Sequence, residues 1–339
     1  LRIPPAFLGL TSLTDLVGVL RQTQDGAVST STHLKNAGVD KETLQLYQDI
    51  FHVYSEMYAT GMEQNTTPVL EDWITRIQCD VAHAQSPQKT TLLRTLWGFH
   101  ALIAKVYCDE MLWEPAFGHL DTALELATTL RNSDLQAISL YRSSAVHFVQ
   151  RNYALAKVDL DGALLYAKNT SPHIRGTILV DAGLAYALAN TDLAGATYTQ
   201  RLLDEAEKYA GAWVDDGIMS FGSGKYLLRR ARALIALGRP GKALEFLDDA
   251  EDELEATQKL KLAFLNIARA ECYMQLKRPE FDRALLVLVD AFDASKAINS
   301  EFNIGHVQRL YKALSTGSYG TSPQVVDLGI ALREWQRRK

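Results

Sequence analysis

Lys225, Arg229 and Arg232 follow one another at spacings of four and three residues, which sets all three on one face of a helix. An arginine can bind a carboxylate through two parallel hydrogen bonds, so such a row is suited to acidic groups. Other chemistry finds little support. Gly217 and Gly222 have the spacing of a phosphate loop, but Ser223 stands where that loop needs Lys, and Gly224-Lys225 is followed by Tyr226 instead of Ser or Thr. Asp159-x-Asp161-Gly162 lacks the third acid and the closing Glu of a calcium loop. His100, His119 and His147 fall in neighbouring segments with Cys108 between two of them, and satisfied or exposed histidines are a plainer reading than a metal site. No Ser-His-Asp or Cys-His pairing follows from spacing. The acidic run from Asp248 to Glu253 reads as a solvated helix face. The expectation is a protein that binds, with no catalytic residue, cofactor or metal.

The elements that must position these cations are helices. Leu227 to Ala250 reads as two of them with a tight turn between. The first is rich in Ala, Leu and Arg, all strong helix formers. Gly238 supplies its stop, and Pro240 is suited to open the next. On the second helix Ala243, Leu247 and Ala250 share a face, and small residues there let two helices approach closely. The same small-x3-large-x2-Ala triplet occurs at Ala116/Leu120/Ala123, Ala156/Leu160/Ala163, Thr199/Leu203/Ala206 and Ala284/Leu288/Ala291. The final Ala steps by 40, 43, 44 and 41 residues. Tyr107, His147, Tyr186, Leu234 and Tyr273 stand 9 to 13 residues ahead of their triplets, near the end of each first helix. Breakers mark each turn: Glu114-Pro115, Arg151-Asn152, Asn190-Thr191, Gly238-Arg239-Pro240 and Arg278-Pro279.

Outside this span the pattern weakens. Helices are expected over 41–60, with Leu44, Tyr47, Phe51, Tyr54 and Tyr58 as a core stripe, and from Pro68 to about 85. Two more are expected over 300–315 and from Pro323 to 335. The Gly-rich stretch from Ala210 to Gly224 carries Trp213 and Phe221 and is expected to pack as a loop on the array. Sustained Val/Ile/Thr alternation is missing, so the fold class is all-α. The net charge of −5 argues against this chain gripping a nucleic-acid backbone by itself. There is no apolar run long enough for a membrane span. Cys79, Cys108 and Cys272 are scattered in apolar stretches and read as buried, reduced thiols of a cytoplasmic protein.

A helical hairpin that repeats in this way resembles the tetratricopeptide repeat, whose period is about 34 residues. The resemblance spans roughly residues 97 to 296 and implies a right-handed α-solenoid of hairpins over 41–296, with 297–339 as capping helices. It also implies that the first helix of each unit lines a concave groove. Lys105, Asp109, Tyr141, Arg142, Asp181, Lys225, Arg229 and Arg232 are the residues expected there. Lys225-x3-Arg229 resembles half of the carboxylate clamp of chaperone-binding tetratricopeptide domains. The other half differs, with Asp181 in place of Asn and Tyr141 in place of Lys. The mixed set therefore suits an internal peptide or a zwitterionic ligand.

The opening Leu1-Arg-Ile-Pro-Pro-Ala-Phe-Leu-Gly-Leu10 resembles the exit segment of a phage-repressor-type (XRE) helix-turn-helix domain. Residues 1–40 then read as the end of such a domain plus a linker, with one short helix near 15–21. Together the two resemblances point to the peptide-sensing regulators of the RRNPP group. They imply a signalling peptide or other protein segment as ligand, a homodimer, and DNA contact only through an upstream domain. A tetratricopeptide scaffold or adaptor with no DNA role is the alternative.

Overall fold

In the computed structural model of the chain, residues 39–60, 66–189, 192–211, 214–215, 219–253, 259–298, 300–317 and 319–337 are described. The expectations for residues 1–38, the Leu1–Leu10 string and the short helix included, lie outside them. The described residues form fourteen helices. α1 (Lys41–Thr60) and α2 (Thr67–His83) precede five hairpins. These are α3 (Gln88–Asp109) with α4 (Trp113–Thr129), α5 (Ser133–Val149) with α6 (Tyr153–Ala167), α7 (Pro172–Ala189) with α8 (Leu193–Glu207), α9 (Ser223–Ala236) with α10 (Pro240–Asp252), and α11 (Lys259–Gln275) with α12 (Phe281–Ala297). α13 (Glu301–Ser315) and α14 (Pro323–Arg337) close the series. From α2 onward each helix packs on the next, and each first helix also touches the first helix of the following unit. The result is an all-α array of hairpins in series.

The triplets are what hold each hairpin shut. All fifteen positions are buried, none more than 3% exposed among those on α4, α6, α8, α10 and α12. Small side chains at the first and last positions let the partner backbone come close, and the central Leu fills the space between. The turns repeat as well. Met111, Arg151 and Gly238 take positive φ values of 60°, 59° and 69° just past a first helix. The next amide then donates back to the carbonyl of Tyr107 (2.8 Å), His147 (2.8 Å) or Leu234 (2.9 Å). This is the closure of a Schellman cap. Glu280 makes the same bond to Tyr273 at 3.0 Å across a longer turn. Only Gly238 adopts this conformation at no steric cost. N-caps add definition: Asn132 accepts from Leu135 N at 3.0 Å, and Asp192 from Gly195 N at 2.7 Å.

The Gly-rich insertion contains the described strands, β1 (Val214–Asp215) and β2 (Ser220–Phe221), paired antiparallel. Phe221, 1% exposed, anchors this ribbon on α7. It sits against Gly176, where an added Cβ would clash with the Phe221 ring and lie 2.9 Å from Tyr209 Cβ. The described part of the loop packs on the array through Phe221, in part as a ribbon, and Trp213 lies outside the described residues. Cys272 is buried and Cys108 partly so, but Cys79 is exposed, contrary to expectation, because it lies on the outer side of α2. Among the described residues no helix is long and apolar enough to cross a membrane.

Candidate ligand-binding groove

The hairpin register selects one face of every first helix. Two residues before Tyr107, His147, Leu234 and Tyr273 stand Lys105, Ala145, Arg232 and Glu271, and Leu184 holds the same place on α7. Four residues further along come Asp109, Val149, Leu188, Ala236 and Gln275. All ten line one of two cavities. The first helices therefore present a continuous face, and the i, i+4 spacing determines which side chains reach it.

The first cavity is a cleft of about 320 Å3 between α1, α3, α5, α9 and the insertion. It brings together Lys105, Asp109, Tyr141, Arg142 and Lys225, five of the eight residues expected in a groove. Its apolar part comes from Ala101, Ala104, Val146, Val149 and Met219. Each cation lies near an aromatic face. Lys105 Nζ is 5.3 Å from the Tyr58 ring centre, Lys225 Nζ 5.7 Å from that of Tyr141, and Arg142 Cζ 5.6 Å from that of Trp97. At these separations the ring quadrupole attracts the cation and helps fix where its charge is presented. Tyr58 donates to Asp109 Oδ2 at 2.7 Å, and Trp97 Nε1 donates to Ser139 Oγ at 2.9 Å, so both rings are held. Cys108 also lines the cleft. Burial pushes its thiol up to about 11, so it is a neutral wall and no nucleophile.

Tyr58 and Met219, which sequence reasoning passed over, also belong to this cleft. Tyr58 was expected only in a core stripe, but α1 packs on α3 and carries the end of that stripe to the cleft. Met219 is placed by the insertion, which has no periodicity to read. The register at Tyr107 and His147 could have flagged Ala145 and Val149.

Arg229, expected to line the groove, is paired within the array. Arg229 Nε lies 2.8 Å from Asp181 Oδ1, close enough for an ion pair although its angle falls short of a hydrogen bond. The Asp181 side chain is 4% exposed and that of Arg229 31%. The Tyr141 phenol also borders Asp181, and burial together with that carboxylate drives its pKa far above the ordinary tyrosine value. Asp181 is therefore an internal counter-ion that ties α7 to α9 and borders α5, and no ligand-facing acid. Its partner is structural for the same reason: a buried carboxylate left unpaired is costly. Arg232 departs too. It lies in the second cavity, of about 340 Å3, with Arg151, Glu271, His306 and Arg309.

The histidines do not make a metal site. His100 and His119 meet through their Nδ1 atoms at 2.8 Å, and the His119 ring stacks on Tyr107. Burial, then the neighbouring His119, pulls His100 down to about 4, so the pair is neutral and shares one N–H. His147 lies apart, 3.6 Å from Asp159. Among the described residues no group of three or more His, Cys, Asp or Glu could hold a metal. A further depression, of about 660 Å3, lies along α8 among Arg201, Asp204, Glu205, Lys208 and Arg239. It is a solvated charged surface with Leu193 84% exposed at its edge, so it offers a ligand little desolvation. No known protein family, curated protein or solved structure matches the chain.

Proposed function

We propose that this chain is the ligand-sensing and oligomerisation domain of a bacterial transcriptional regulator, a right-handed solenoid of tetratricopeptide-like hairpins that takes a short peptide in the cleft between α1, α3, α5 and α9. The observation that carries the reading is the convergence of Lys105, Asp109, Tyr141, Arg142 and Lys225 around an apolar floor. Three cations over aromatic rings favour acidic side chains, and Ala101, Val146, Val149 and Met219 favour an apolar one beside them. Asp109 offers an acceptor for a peptide N–H or amine. A segment seated there touches three repeat units and the insertion at once. Its binding energy acts on their relative positions, and so on a dimer contact and the spacing of two DNA-reading heads upstream. A scaffold or adaptor would use the same cleft for a partner's segment and lack the upstream heads.

The test is calorimetric titration of the intact chain with a library of short acidic-apolar peptides, beside mass spectrometry of whatever co-purifies. Arg142→Ala with Lys225→Ala is expected to weaken a bound peptide by roughly 10- to 100-fold. Each substitution also removes a cation–π contact worth about 0.5–1 kcal/mol, so the melting temperature should fall modestly while the chain stays folded. Unchanged affinity in this double variant, or loss of binding only alongside loss of folding, would refute the cleft as the site. A peptide effect on DNA binding by the chain with its upstream segment separates regulator from adaptor.

A further inference from the structure

The second cavity collects positive charge that the chain itself leaves under-neutralised. Arg151 comes from the α5–α6 turn, Arg232 from α9, and His306 and Arg309 from α13. Glu271 on α11 is the one acid in the lining, and it lies 3.5 Å from Arg309 Nη1. Among the described residues Arg151 and Arg232 make no ion pair. His306 is 9% exposed, and its Nδ1 accepts from Arg309 Nη2 at 3.3 Å, which leaves Nε2 to carry the ring proton. Burial, with Arg232, Arg309 and Arg151 around it, holds His306 down near pKa 3, so the ring is a neutral N–H donor at physiological pH. Burial and the neighbouring Arg229 bring Arg232 down to about 10, against the opposing pull of Glu271 and Asp181.

We propose that this pocket is a phosphate site, separate from the peptide cleft, which takes a dianionic phosphate either free or as the terminal phosphoryl group of a small organic phosphate. Charge selects the ligand class. Three guanidiniums against one carboxylate, with His306 neutral, leave a net charge of +2. A single carboxylate would neutralise half of that, whereas a phosphate monoester carries close to two negative charges and three acceptor oxygens. The lining outside Glu271 offers it guanidinium and imidazole N–H donors, which suits a group that only accepts. Leu188, Ile235 and Tyr153 form an apolar flank that can hold the organic part of a phosphate ester. The cationic groups come from units as far apart as α5 and α13, so a bound phosphate would brace that half of the array against relative movement of its hairpins.

The test is calorimetry and 31P NMR on the intact chain with inorganic phosphate, phenyl phosphate and, as a monoanion of similar shape, benzoate. Saturable binding of the phosphates and at least tenfold weaker binding of benzoate are expected. Arg232→Gln and Arg151→Gln should each weaken phosphate binding by roughly 10- to 100-fold. Lys225→Ala, in the peptide cleft, should leave it unchanged, so the two sites stand or fall separately. Tighter binding of phenyl phosphate than of inorganic phosphate assigns the pocket to an organic phosphate, and equal binding to free phosphate. No saturable phosphate binding, benzoate binding as tight as phenyl phosphate, or wild-type phosphate affinity in the folded variants would overturn the proposal. Arg151 is exposed on a turn, so Arg151→Gln decides the matter even if Arg232→Gln does not fold.

Discussion

Arg229→Ala is expected to destabilise the array, and the reason lies at Asp181. The carboxylate is 4% exposed and its one ion-pair partner among the described residues is Arg229, 2.8 Å away. Breaking a fully buried pair by removing one member costs about 3–5 kcal/mol, because the remaining charge is left without water or counter-ion. Arg229 itself is 31% exposed, and its removal opens a path for water, so the cost falls just below that range. A loss of about 2–3 kcal/mol follows, against the 0.2–1 kcal/mol typical of exposed pairs. That corresponds to a fall of roughly 4–8 °C in melting temperature. The closest packing of each hairpin is with its neighbours, so loss of hydrogen-exchange protection should concentrate in α7 and α9. A double-mutant cycle separates charge from packing. Asp181→Asn alone removes the buried charge and leaves Arg229 able to reach solvent. Adding it to Arg229→Ala should recover most of the loss, giving a favourable coupling of about 1–2 kcal/mol. A wild-type melting curve for Arg229→Ala would show that Asp181 does not depend on it. A loss that Asp181→Asn fails to recover would show that the arginine stem, and not the charge, holds α9 in place.

Two further outcomes follow from burial. Ala250 on α10 is 0% exposed, so Ala250→Asp puts an unpaired carboxylate into the hairpin contact, and a loss of several kcal/mol is expected; near-normal thermal unfolding of this variant would refute the hairpin register. His100 is held near pKa 4 against an ordinary value of 6.5, so between those values the unfolded chain binds the extra proton and stability falls as pH is lowered. By pH 5 the His100 contribution to that fall is about 2 kcal/mol, readable in urea titrations at pH 7 and pH 5. His100→Gln should flatten that part of the pH dependence, and an unaltered slope would mean that other groups produce it.

The hairpins were legible in the sequence because their signals are local. The Ala250 and Leu247 positions follow from helical period, the turn at Gly238 from its freedom to take positive φ, and the start of α10 from Pro240. The same register brought Lys105, Asp109, Tyr141, Arg142 and Lys225 to one cleft, since a residue's face on a helix is fixed by its place in the sequence. Whether a side chain on that face meets solvent or a partner is not local. Arg229 and Arg232 stand three residues apart on α9, yet one closes on Asp181 of α7 and the other on a pocket shared with α11 and α13. Met219 reaches the cleft only because Phe221 docks at Gly176, where a bare backbone leaves room for its ring. Spacing along the chain determined the helices and their faces. The packing of one unit against the next decided which charges are neutralised, because Coulomb partners are chosen by distance in space.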